Sequence, residues 1–143
     1  MTEVTVSIDV PVPPAVVWEV LTDTEAYDRW NTLLSVTGEF VVGQTVSARL
    51  STPGLPTVRF TPEITAVNPE QAIRWRSRPF GLSAEHAFLL EPIAEGTRFV
   101  QHEEFSGAVT NWVVGRLDRR IRRGFEQMNV GLRRRAVTLH GRA

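Results

Sequence analysis

The chain has 143 residues, 42% of them hydrophobic, a size and composition that suit one domain spanning residues 1–143 with a sizeable core. It contains no cysteine, which excludes a disulfide framework, a thiolate nucleophile and any Cys-ligated metal. The formal net charge is zero, yet residues 1–110 hold 7 Arg against 14 acidic residues while residues 111–143 hold 9 Arg against 2.

The first strand is written in EVTVSIDV at 3–10, where Val4, Val6, Ile8 and Val10 alternate with polar residues. Pro11, Pro13 and Pro14 end it, and Val17, Trp18 and Leu21 then fall at helical spacing in a short helix over 14–21. The segment 22–30 predicts a second helix, capped by Asp23 or Thr24, with Tyr27 and Trp30 on one face. Turn residues at Gly43, Pro53-Gly54, Asn68-Pro69, Gly81 and Glu95-Gly96 then divide an antiparallel meander. Its strands are predicted near 35–41, 45–51, 57–67, 71–77, 83–92 and 97–106. Val113, Leu117, Ile121, Phe125, Met128 and Leu132 recur every three or four positions, so the last 30 or so residues form an amphipathic helix about 45 Å long.

This β-α-α-β6-α order predicts an α+β fold in which a curved antiparallel sheet of about seven strands wraps on the long C-terminal helix. A curved sheet cannot meet a straight helix everywhere, and the space left between them is the candidate ligand cavity. Strand parity assigns its lining. Phe88 and Leu90 place Ala84 and His86 on the inner face, and Phe99 and Phe105 place Gln101 and Glu103 there. Trp75 and Ile73 face inward with Phe60, Pro62 and Ile64, opposite Leu117, Ile121, Phe125 and Met128 on the helix. Asn129 faces either the cavity or a strand backbone, and Trp112 either packs or gates the far end. An inward Glu103 needs a partner, because an ionised carboxylate among apolar groups is costly. Glu103 with His86 is therefore either an acid/base pair for a ligand oxygen or a structural cluster with Gln101.

The ordered segments V-x-I-D-V-P-x-P-P-x-x-V-W-E-V-L-T-D at 6–23, Y-D-x-W-N at 27–31, I-R-W at 73–75, E-H-A-F-L-L-E-P-x-x-x-G-T-R-F at 85–99 and E-E-F-S-G at 103–107 resemble the START-like (SRPBCC) superfamily. Within it the chain is similar to small bacterial polyketide cyclase/dehydrase-like proteins, and the resemblance covers nearly all residues. It implies the helix-grip fold and places Trp30 and Asn31 near the cavity mouth, although Trp30 can equally be a packing anchor and Asn31 a helix terminator. Members of the superfamily include carriers, aromatase/cyclases, lyases, receptors and chaperone-activator domains, so fold alone does not select among them.

Three functions are consistent with these residues. The first is binding of a hydrophobic small molecule, such as a lipid, polyketide or aromatic metabolite, between sheet and helix. The second is an aromatase/cyclase or dehydratase-like enzyme using Glu103 and His86. The third is a chaperone-activator-like interaction module using the arginine-rich helix. Aromatic residues are not interleaved with those arginines, so no nucleic-acid partner is expected. His86, His102 and His140 lack paired ligand spacing, and neither a metal nor another cofactor is expected. No segment approaches the roughly 18 apolar residues of a membrane helix, and the N-terminus lacks a signal-peptide pattern. A cytoplasmic monomer or homodimer without stable membrane insertion is the expectation.

Overall fold

The computed structural model describes residues 2–78, 82–107 and 110–141, with the side chains of 110–114 outside that description. Strand β1 (Thr2–Val10) leads into helix α1 (Pro14–Thr22), a 3-10 helix (Thr24–Arg29) and seven further strands. These are β2 (Leu34–Thr37), β3 (Ser47–Leu50), β4 (Val58–Phe60), β5 (Glu63–Asn68), β6 (Ala72–Ser77), β7 (Ser83–Ile93) and β8 (Gly96–Ser106). Helix α2 (Thr110–Gly141) closes the chain. The α+β arrangement read from the sequence is present, with two differences of detail.

The predicted strand 57–67 is divided. Phe60 pairs with Ala48 in a three-stranded sheet ordered β2-β3-β4, whereas Ile64 pairs with Trp75 in a five-stranded sheet ordered β1-β8-β7-β6-β5. Pro62, which has no N–H for a ladder, falls at the change of sheet. The eighth strand arises from this break. The sheets remain joined, because Ile64 N–H donates to Gln44 O at 2.9 Å and Gly43 N–H to Ile64 O at 2.9 Å. The second predicted helix is a six-residue 3-10 segment without a side-chain cap. Thr24 Oγ1 donates instead to Gly38 O at 3.0 Å. A piece this short suits the tighter winding.

Proline explains the start of α1: Pro13 is its N-cap and Pro14 occupies the first turn, where no N–H is needed. The β7–β8 hairpin turns through Ala94 and Glu95 between the paired Ile93 and Gly96. Gly96 has φ +152° and touches the Val10–Val12 backbone so closely that a Cβ would collide with Val10 O. Thr97 Oγ1 donates to Val12 O at 2.8 Å on the same seam. On the outer face, Arg98 holds Asp9 through two bonds of 2.8 and 3.3 Å, and this hydrogen bonding lowers the Asp9 pKa.

Burial follows the predicted parity. Val4, Val10, Ile64, Ile73, Trp75, Ala84, Phe88, Leu90 and Phe99 are buried on the concave side against Phe125, Met128, Leu132 and Ala136 of α2. Ala87 belongs to the outer face and is buried as well, between its register partners Arg74 and His102. The β1 edge is partly closed by α2, since Arg122 donates to Thr5 O at 3.0 Å.

Tyr27, the only tyrosine, is fully buried, and its hydroxyl donates to Leu21 O. Burial raises its pKa far above the ordinary value of 10.0. The folded-state value is raised, so the stability tied to the neutral phenol is complete below pH 10 and falls as pH rises beyond it. An ultraviolet titration should therefore show tyrosinate appearing only together with loss of the far-ultraviolet circular dichroism signal. Ionisation at the ordinary phenol value in a folded chain would contradict this burial. Tyr27→Phe should lower unfolding free energy by about 1–2 kcal/mol in urea titrations.

Candidate functional site

Two cross-strand rows build the concave wall. In the first, Val4, Glu103, His86 and Trp75 stand opposite one another across β1, β8, β7 and β6. Val6, Gln101, Phe88 and Ile73 form the second row, two residues along. Period-2 alternation puts both rows on the face that α2 covers. His86 sits among rings, with centroids 4.3 Å from Phe88, 5.2 Å from Phe125 and 5.9 Å from Trp75. Phe60 and Phe40 extend the wall, at 6.1 and 6.2 Å from Trp75.

A continuous polar chain runs through this apolar wall. Glu103 Oε2 contacts His86 Nδ1, and His86 Nε2 lies 3.1 Å from Gln101 Oε1. Gln101 Nε2 donates to Asn129 Oδ1 at 2.7 Å and to Phe125 O at 3.4 Å. Both of its contacts on α2 are acceptors, which fixes the Gln101 amide with its oxygen toward His86. That oxygen can only accept, so His86 Nε2 carries a proton. The contact between Nδ1 and Glu103 Oε2 is then a hydrogen bond in which ring and carboxyl share a proton. Gln101 and Asn129 are fully buried, and Glu103 is the outermost member, with 15% of its side chain exposed. At the other end, Asn129 Nδ2 is buried with no partner.

Other residues singled out in the sequence are placed as follows. Met128 is fully buried beside the cluster's helix residues, whereas Leu117 and Ile121 are half-buried on α2. The Trp112 side chain lies outside the described residues. Trp30 is set apart from the interior wall: it packs edge-on against Tyr27 at 5.0 Å and borders the outer side of α2. Asn31 Oδ1 is occupied locally, accepting from Leu33 N–H at 3.1 Å and Leu34 N–H at 2.9 Å, while its Nδ2 is buried with no partner. Two open clefts are lined by described residues. One, of about 580 Å³, lies between Trp30 and the outer face of α2. The other, of about 300 Å³, lies at the end of the sheet and is lined by Arg78, Leu82, Ser83, Ser106 and Gly107. Ser106 is three residues along β8 from Glu103, a separation of roughly 10 Å.

Two features escape a reading of the sequence alone. Asn129 joins the polar chain through a side-chain contact that helical periodicity cannot reveal. On the outer face, Glu3, His102 and Glu104 bring ligand-capable atoms within 4.8 Å of one another. Two of the three come from one strand and the third from its neighbour, so no linear spacing marks them. Thr5 Oγ1 lies 2.7 Å from His102 Nδ1 in the same group.

Residues 1–137 match the family described as polyketide cyclase / dehydrase and lipid transport, and the chain belongs to that family. No curated protein matches its sequence. Among solved structures, TTHA0849 from Thermus thermophilus is 20% identical with a TM-score of 0.76, covering 96% of this chain and 99% of the other. The AHSA1-like protein from Aeromonas hydrophila is 14% identical with a TM-score of 0.68, covering 97% and 94%. DynU16, a protein in the dynemicin biosynthetic locus, is 22% identical with a TM-score of 0.72, covering 92% of this chain and 46% of its own. These likenesses establish the shared fold. No described helix is long and apolar enough to cross a membrane.

The polar chain makes a stability prediction. Gln101→Leu leaves His86 Nε2–H and Asn129 Oδ1 unpaired inside the protein and should cost about 2–4 kcal/mol in urea denaturation. Adding Asn129→Leu removes one orphaned group, so the double variant should be less destabilised than the two single effects combined, by about 1 kcal/mol or more. Simple additivity would show that the two amides do not interact.

Proposed function

We propose that the chain is one domain that binds a hydrophobic small molecule, a lipid, polyketide or aromatic metabolite, between the concave sheet and α2. The supporting observation is the His86–Glu103 pair, set among Trp75, Phe88 and Phe125 with Glu103 turned toward the less buried end. An apolar wall rewards ligand burial at about 25 cal/mol per Å², so roughly 200–300 Å² of buried apolar ligand surface would supply roughly 5–8 kcal/mol. That attraction is not directional. The pair adds direction, since one shared proton lets it donate to a ligand carbonyl or accept from a ligand hydroxyl. In this reading Phe60, Phe88, Ile121, Phe125 and Met128 contact the ligand's hydrocarbon once the sheet and α2 part to admit it, because Phe88 and Met128 are buried between the two layers. Family membership supports the same class of ligand.

A second reading rests on the same pair. A group that holds one mobile proton beside a bound carbonyl can also transfer it, as an aromatase/cyclase or a dehydratase requires. Catalysis would then need the ligand's reacting carbon within reach of Glu103 or His86, whereas carriage needs only the wall.

Native mass spectrometry of the purified chain, followed by titration with the molecule it retains, tests the binding function. The expected result is a bound apolar molecule carrying at least one oxygen, with Glu103→Gln weakening its affinity by about tenfold, or roughly 1.4 kcal/mol, while the chain stays folded. Unchanged affinity with a lowered melting temperature would instead make Glu103 a structural group. Loss of water from a β-hydroxy ketone in the presence of the wild type, absent with His86→Phe, would favour the enzymatic reading.

A further inference from the structure

The outer side of α2 carries a surface that the interior reading leaves unused. Residues 123, 127, 130, 134 and 137 recur at intervals of three and four, so they form one stripe, away from the sheet-facing Phe125, Met128, Leu132 and Ala136. The groove of about 580 Å³ lies along it, bordered by Trp30, Arg123, Glu126, Val130, Gly131 and Arg134. Its floor depends on a glycine, because a Cβ on Gly131 would collide with the Trp30 carbonyl. Val130 is 49% exposed, and Val137, seven residues further, is 42% exposed. The two valines stand two helical turns apart on the side of α2 that carries the groove.

Charge defines the partner. Helix α2 carries eight arginines against Asp118 and Glu126, while residues 1–110 are net acidic. Arg123 and Arg134 make no ion pair with a described residue. They stand eleven residues apart, about 16 Å along the helix, near the two ends of the trough. A small ligand would leave much of its surface in water in so open a groove. A lipid surface has no protruding side chain to fill a trough. An amphipathic segment with an apolar ridge flanked by carboxylates matches both the concavity and the charge.

We propose that this groove docks an acidic, amphipathic helical segment of a partner protein, its apolar ridge seated on Trp30, Val130 and Gly131 and its carboxylates paired with Arg123 and Arg134. Ion pairs at the rim steer association and weaken with salt, whereas the apolar ridge sets position.

The test uses the full ¹⁵N-labelled chain and a synthetic helical peptide with leucines along one face and glutamates on either side. The Trp30 indole N–H and Gly131 amide signals should shift, the Trp75 indole should not, and added salt should weaken binding. Arg123→Glu with Arg134→Glu should reduce affinity by about tenfold and transfer preference to the matched lysine peptide. Both sites are exposed, so the fold should survive, which circular dichroism confirms. The proposal is overturned by an unshifted Trp30, or by unchanged affinity in the double variant. It is equally overturned if phosphatidylglycerol-containing vesicles shift these signals and the peptide does not, or if concentrating the chain alone produces the same shifts.

Discussion

The Gln101 side chain is the polar tie between the two layers of this protein. Its oxygen meets His86 on the neighbouring strand, and its nitrogen meets Asn129 and the Phe125 carbonyl on α2. Around it the buried contact between sheet and helix is hydrocarbon, which holds layers together without fixing their register, and Arg122 adds a bond to Thr5 O at the exposed β1 edge. One fully buried amide therefore selects how α2 lies over β8. It also makes His86 Nε2 a donor and leaves Nδ1 facing Glu103. Position and chemistry are thus set by the same group.

That constraint divides α2 into two working faces. Toward the sheet it offers Phe125, Met128, Leu132 and Ala136, and its polar content there is Asn129. Away from the sheet it carries arginines with exposed Val130 and Val137. The opposite charges of the early and late parts of the chain are expressed in space as an acidic sheet layer and a basic helix. The fold brings these together while leaving Arg123 and Arg134 exposed, because the sheet-facing stripe of the helix is apolar.

The fold is legible in the sequence where a short period governs structure. Strict alternation in 83–93 and 96–106 places His86, Phe88, Gln101 and Glu103 on one face, and a two-residue turn before Gly96 makes His86 stand directly opposite Glu103. The same rule fails at 57–67, because Phe60, Pro62 and Ile64 keep one parity while the chain passes from one sheet to another. No local pattern records such a passage. Family resemblance places Trp30 near the cavity mouth and leaves a packing anchor equally open, and its packing depends on the distant Gly131, which admits its backbone against α2. Asn129 stays open in the sequence for a similar reason: helical spacing gives its angle, and only the tertiary contact with Gln101 gives its role.

Nitrogen NMR of histidine-labelled protein addresses the polar tie directly. With Gln101 Oε1 as acceptor, the His86 Nε2 resonance should be that of a proton-bearing nitrogen. A resonance showing Nε2 unprotonated and Nδ1 carrying the proton would mean that the amide of Gln101 points the other way, and the shared proton on Glu103 and His86 would have no structural basis.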